Sequence, residues 1–247
     1  MVGESNMKTE TAICIGAQKT GTSWLYEQLE RHPGVRLPRT GKELNFFSLK
    51  KGSGAENYEN EFHVDGGPVR LDVSPSYSAF EGLAEKIHET CPEARILFIV
   101  RDPVARAVSQ YRMAIRLGNI PRSTSLIEAF RANLQFIKRR GLYLDIVNEY
   151  DLFFPLGLKL TVLFFDDLVS DATKFYDDAL IALGIPQEDS VRNQLGPPVG
   201  VGRGELSVSK AELSEIHDFY APFNRAFFAR PGLPVNWGAE NYKLFGT

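Results

Sequence analysis

The stretch Thr11-Ala12-Ile13-Cys14-Ile15-Gly16-Ala17-Gln18-Lys19-Thr20-Gly21-Thr22-Ser23-Trp24-Leu25-Tyr26-Glu27-Gln28-Leu29 decides how the rest of this 247-residue chain is read. Ala12 to Ile15 is a short apolar run suited to a buried strand. Gly16 to Ser23 is prone to turn, and from Trp24 to Leu29 the pattern becomes helical. A buried strand, a glycine loop and a helix in that order form an anion cradle. The loop's N–H groups and the helix N-terminus point at one place, and the helix dipole favours negative charge there.

Outward from this stretch, strand and helix patterns alternate. Val35 to Leu37, Val69 to Val73, Arg95 to Val100 and Leu160 to Phe165 read as strands. Helices are expected at Thr22–Arg31, around Tyr58 to Phe62, and at Glu81–Thr90, Val104–Arg116, Leu126–Arg139, Tyr143–Phe153, Asp171–Leu183 and Ser209–Phe228. The last opens with Ser209-Lys210-Ala211-Glu212, a capping box. This alternation predicts an α/β fold, one domain over 11–247 with a central, mainly parallel sheet flanked by helices. Residues 1–10 read as a disordered polar tail.

Composition narrows the function classes. Hydrophobic residues make up 43% of the chain, enough for a sizeable core, and the formal net charge is −3. That balance argues against wholesale nucleic-acid binding and leaves room for a local basic pocket. Cys14 and Cys91 sit beside apolar segments and read as small buried residues. No apolar run reaches membrane-spanning length and no signal peptide is evident, so a cytoplasmic setting is expected. The four histidines, His32, His63, His88 and His217, are scattered, and no metal site is expected.

A second anion-binding segment follows the strand that ends at Val100. Arg101 stands just beyond the strand's carboxyl end, where ligands bind in open α/β sheets. A guanidinium there can grip a phosphate with its planar fork, and Ser109, eight residues on, adds a hydroxyl.

In the first loop, Gly16 and Gly21 keep the spacing of the nucleotide-triphosphatase phosphate loop. Thr22 replaces that loop's lysine, and Lys19 lies inside the loop instead. This pattern resembles the 5′-phosphosulfate loop of sulfotransferases that use PAPS (3′-phosphoadenosine 5′-phosphosulfate). Arg101 with Ser109 resembles the same family's 3′-phosphate segment. His32-Pro33, Glu43-x-x-Phe46-Phe47, Ser74-Pro75-x-Tyr77, Gly141-Leu142-Tyr143 and Phe219-Tyr220-Ala221-Pro222-Phe223-Asn224 are similar to the heparan-sulfate-type branch and its bacterial relatives.

The resemblance implies a P-loop-like nucleotide-binding fold and sulfuryl transfer from PAPS, releasing PAP, to a small-molecule or carbohydrate acceptor without a metal. It implies that Lys19, Thr20, Gly21, Thr22, Ser23 and Trp24 hold the phosphosulfate, with Lys19 also stabilising the leaving group. Arg101, Ser109 and Tyr143 would hold the 3′-phosphate, and Arg203 would close a late glycine-rich loop over the cofactor. Glu43 matches the family's general base, and Phe46 and Phe47 are expected to desolvate it. Asp72 is the reserve base. Val73 departs from the heparan-type pattern, which carries a lysine there. Two other classes are a metal-dependent nucleotide kinase, with Asp166 and Asp167 to hold magnesium, and a non-enzymatic binding protein that keeps the fold without the chemistry, against which the presence of both Lys19 and Glu43 argues.

Overall fold

The computed structural model describes residues 10–49, 54–197 and 207–233. Five strands, β1 (Glu10–Gly16), β2 (Val35–Arg36), β3 (Val69–Val73), β4 (Arg95–Val100) and β5 (Leu160–Phe164), form one sheet in the order β2-β3-β1-β4-β5. Every pairing is parallel. The helices are α1 (Thr22–Leu29), α2 (Ala55–Glu59), α3 (Leu83–Thr90), α4 (Pro103–Arg116), α5 (Leu126–Arg131), α6 (Tyr143–Asp151), α7 (Phe165–Ser170), α8 (Ala172–Leu183), α9 (Asp189–Arg192) and α10 (Lys210–Phe228).

The centres of β1 and β4 are continuous apolar runs because both sheet faces are covered there, whereas β3 carries the buried Asp72. On β1 and β4, Ile13, Ile15, Ile96, Phe98 and Val100 enter one core with Tyr77, Tyr143 and Tyr150. Ala12, Cys14, Leu97 and Ile99 enter the opposite core, with Trp24, Leu25, Phe175 and Leu180. A third cluster joins α4, α5 and α10 through Ala107, Tyr111, Phe130, Ile216 and Tyr220.

Strand order places the site. β1 lies between β3 and β4, so the loops leaving the carboxyl ends of all three strands are neighbours. This is the switch point at which open α/β sheets bind ligands. The Ala17 N–H donates to the Ile99 carbonyl at 2.7 Å and ties the glycine loop to the end of β4.

Three expectations need correction. The short helix before β3 runs Ala55–Glu59, upstream of the predicted Tyr58–Phe62. The strand expected at Leu160 to Phe165 ends at Phe164, and Asp166 and Asp167 lie in the first turn of α7. The helix expected at Leu126–Arg139 stops at Arg131, and Asn133 then takes a left-handed φ of 50°. Tertiary bonds replace the helical ones beyond that point. Asn133 Oδ1 accepts the N–H groups of Lys138 and Arg139, and buried Arg106 and Gln110 donate to the carbonyls of Ile137 and Gln135. The capping box of α10 forms as read, with Ser209 and Glu212 each accepting from the other's backbone.

Candidate active site

Gly21 sets the geometry of the first loop. Its φ of 87° lies in the left-handed region, and a Cβ there would fall 2.5 Å from Leu168 Cδ2. The first intrahelical bond of α1 runs from the Leu25 N–H to the Gly21 carbonyl. The N–H groups of Thr22, Ser23 and Trp24 precede it, and no side chain caps them. Lys19 has a φ of 74° and is partly buried.

The neighbouring strand supplies the second segment. Asp102 caps α4 by accepting the Ala105 N–H at 2.7 Å, with Pro103 in the first turn. Arg101 donates from Nη1 to the Lys19 carbonyl at 3.3 Å, and its guanidinium lies 4.4 Å from the centre of the Phe165 ring. Lys19, Arg101 and Ser109 line one cleft of about 370 Å³. Arg112 and Arg116 line it as well, at i+3 and i+7 from Ser109 on the same face of α4. Among the described lining residues, four are cationic and none is acidic. Burial lowers the Lys19 pKa, and the cations Arg116, Arg101 and Lys42 lower it further. A polyanion in the cleft would offset both the repulsion and the desolvation.

Other residues of the predicted set do different work. Thr20 is buried, and its hydroxyl donates to the Ala17 carbonyl at 2.6 Å, so it shapes the loop from within. The Trp24 indole is buried against Phe175 and donates to the Gly196 carbonyl at 2.8 Å, which leaves only its backbone N–H to the cradle. The Tyr143 hydroxyl, expected on the 3′-phosphate, donates to the Arg101 carbonyl at 2.7 Å and steadies the end of β4. Arg203 lies outside the described residues.

The segment after β2 carries Glu43, the expected base, which is not among the residues that line the cationic cleft. Glu43 ion-pairs with Lys42 at 2.8 Å, and its side chain is 40% exposed. The desolvation expected from Phe46 and Phe47 does not reach it. Both rings are buried, packed on each other and on Tyr58, with Phe47 also against Tyr77. Glu43 and Asn45 adopt left-handed φ values of 63° and 54°. The Glu43 N–H donates to the Val73 carbonyl at 3.1 Å, and the Asn45 N–H to Ser74 Oγ at 3.0 Å.

Asp72, the reserve base, is fully buried. Its carboxylate accepts from Ser74 Oγ at 2.5 Å, Tyr77 Oη at 2.8 Å and Tyr58 Oη at 3.2 Å. Burial pushes its pKa up to about 6, against the opposing pull of those three bonds. Enclosed by these hydroxyls, Asp72 supports the Glu43 loop through Ser74 and cannot meet an acceptor.

Arg140 was not foreseen. It is buried and donates to Gln18 Oε1, the side chain just before Lys19. Arg112 and Arg116 were legible from helical spacing once Ser109 was placed. Arg140 had no such signal, since it meets Gln18 across 122 residues. Among the described residues no cluster of three metal-ligating side chains occurs, and no helix is long and apolar enough to cross a membrane.

The family model described as a sulfotransferase domain matches residues 9–195. The chain is 28% identical to human heparan sulfate glucosamine 3-O-sulfotransferase 6 over 268 aligned positions, covering 96% of this chain and 76% of the relative. It is also 28% identical to mouse heparan sulfate glucosamine 3-O-sulfotransferase 3A1, covering 96% of this chain and 66% of that one. Its fold is similar to that of a sulfotransferase from Alicyclobacillus acidocaldarius, with a TM-score of 0.69, 24% identity and coverage of 87% and 92% of the two chains. The sulfotransferase domain from the curacin biosynthetic pathway gives a TM-score of 0.54 at 12% identity, covering 86% and 97%.

Proposed function

The chain belongs to the sulfotransferase family, and from that premise we propose that it transfers a sulfuryl group from PAPS to a hydroxyl or amine of a carbohydrate or small metabolite. One observation carries the choice of donor: Lys19, Arg101 and Ser109 converge on a single cleft whose described lining is cationic and free of acids. PAPS presents two anionic ends, a 5′-phosphosulfate and a 3′-phosphate. The free N–H groups at the start of α1 and the Lys19 ammonium suit the first. The Arg101 fork, backed by Phe165, and the Ser109 hydroxyl suit the second.

The chemistry then needs little covalent help from the protein. The acceptor oxygen forms a bond to sulfur as the bond from sulfur to the 5′-phosphate oxygen breaks. The bonding pair stays on that oxygen, and Lys19 neutralises it. Glu43 takes the acceptor's proton. Its exposed carboxylate stands on a loop fixed by bonds to the end of β3, open to an incoming substrate. A carbohydrate acceptor is favoured by the names of the relatives. The missing lysine at Val73 argues for an acceptor charge pattern unlike theirs. The kinase alternative lacks its lysine after Gly21, and family membership displaces it.

Calorimetric titration with PAP, with and without magnesium, and with ATP as control, tests this reading. Tight PAP binding that ignores magnesium is expected. No PAP binding, or ATP binding only with magnesium, overturns it.

A further inference from the structure

Arg140 is a buried cation without a matching anion. It is 8% exposed, and no carboxylate among the described residues lies within ion-pair distance of it. Its Nε is buried with no hydrogen-bond partner. Its one side-chain hydrogen bond goes to Gln18, with the guanidinium 5.7 Å from the centre of the Phe136 ring. A guanidinium taken out of water at this level of pairing is costly to the fold. Burial, then repulsion from Arg106, depresses its pKa to about 10, while the nearby charge of Glu43 acts in the opposite direction.

The fold holds this cation firmly in place. Arg106 and Tyr220 both donate to the Ile137 carbonyl, and Tyr220 also bonds the Lys138 carbonyl at 2.7 Å. Arg139 reaches the Ala79 carbonyl at 3.0 Å. Gly141 lets Tyr220 close on the turn, since a Cβ there would lie 2.6 Å from the tyrosine ring. Arg140 is therefore presented from a pinned segment, touching the residue before Lys19 on the donor side and feeling Glu43 on the acceptor side. In an in-line transfer the moving group passes between those two sides.

We propose that Arg140 is a further substrate-binding residue, whose guanidinium grips the non-bridging oxygens of the sulfuryl group between the Lys19 loop and Glu43. This inference rests on the PAPS reading above. The sulfuryl oxygens supply the anion that Arg140 lacks, and a planar fork can meet two of them at once.

PAP and PAPS differ only in the sulfuryl group, so their affinities separate this contact from the rest of the cofactor site. Calorimetry of the full chain, with each nucleotide and no acceptor, compares wild type with Arg140→Gln and Arg140→Lys. Expected for Arg140→Gln is about tenfold weaker PAPS binding with PAP unchanged within about twofold. Arg140→Lys keeps a charge without the fork and should lose less; it also provides the measurement if the glutamine variant does not fold. Equal loss of both nucleotides would show that Arg140 only braces Gln18, and unchanged PAPS binding would show no contact. Either result overturns the inference and leaves the cofactor reading intact. A wild-type protein that binds neither nucleotide overturns both.

Discussion

The two sides of this site handle charge in opposite ways. Around the loops after β1 and β4, cations gather in a cleft with no acid in its described lining, so the fold holds mutual repulsion that a polyanion would relieve. Around the loop before Ser48, the most buried acid among the described residues, Asp72, is enclosed by three hydroxyls, and the exposed acid, Glu43, is paired with its neighbour Lys42. The first side is prepared to bind, because burial and the neighbouring cations both disfavour the Lys19 charge, and an anion in the cleft would offset that. The second is prepared to stay in place, because its internal bonds are complete and hold Glu43 and Asn45 in left-handed conformations.

Separating the two sides by mutation is the most direct way to break the comparison. Glu43→Gln should lower sulfuryl transfer by about 10²–10⁴-fold, the range for loss of a general base, with PAP affinity unchanged. The measurement is turnover of PAPS with an accepted acceptor, beside calorimetry with PAP. Parallel loss of PAP binding would merge the two sides into one. Arg101→Ala is the reciprocal change. It should weaken PAP by about 10–100-fold, the worth of a charge-assisted fork, and leave the thermal midpoint nearly unaltered.

Smaller effects sharpen the contrast between a binding cradle and a fixed support. Gly21→Ala combines a left-handed φ with a contact at 2.5 Å to Leu168, so a loss of roughly 2–4 kcal/mol in stability is expected by denaturant unfolding. Asp72 gives the most specific signature. Its folded pKa, about 6, lies above the ordinary carboxylate value of 3.8. The protonated form therefore contributes stability that is complete below about pH 4 and lost as the pH rises through about 6. Asp72→Asn should remove that component, at most about 2 kcal/mol, from the difference between unfolding free energies at pH 4.5 and 7.5. An unchanged pH dependence in the variant would place the titration elsewhere.

Much of the donor side was legible because its signals are local. Gly16, Lys19 and Gly21 fall within one turn-forming stretch, and Arg101 and Ser109 flank one strand–helix junction. β3 and β4 were bounded correctly, since continuous apolar runs between turn residues leave little choice. The expected helix after Leu126 is too long because its apolar period continues, while Asn133 and Gln135 take left-handed φ values of 50° and 51° and Asn133 Oδ1 accepts the Lys138 and Arg139 N–H groups that would have extended it. The aromatics beside Glu43 misled for a related reason. Adjacent positions in sequence gave proximity, but Tyr58 and Tyr77, distant in sequence, drew both rings into the core.

The sequence by itself determined the alternation of strand and helix, the glycine loop between β1 and α1 and the arginine placed just after β4, because each depends on residues within about ten positions of one another. Only the tertiary structure decided that β1 lies beside β4, that Arg112 and Arg116 join the same cleft, that Asp72 is sealed and that Arg140 meets Gln18. Those outcomes depend on burial and on contacts between distant segments. A side chain's charge or hydrogen-bonding capacity is visible in the sequence, but whether water, a hydroxyl or a ligand answers it is fixed by what packs around it.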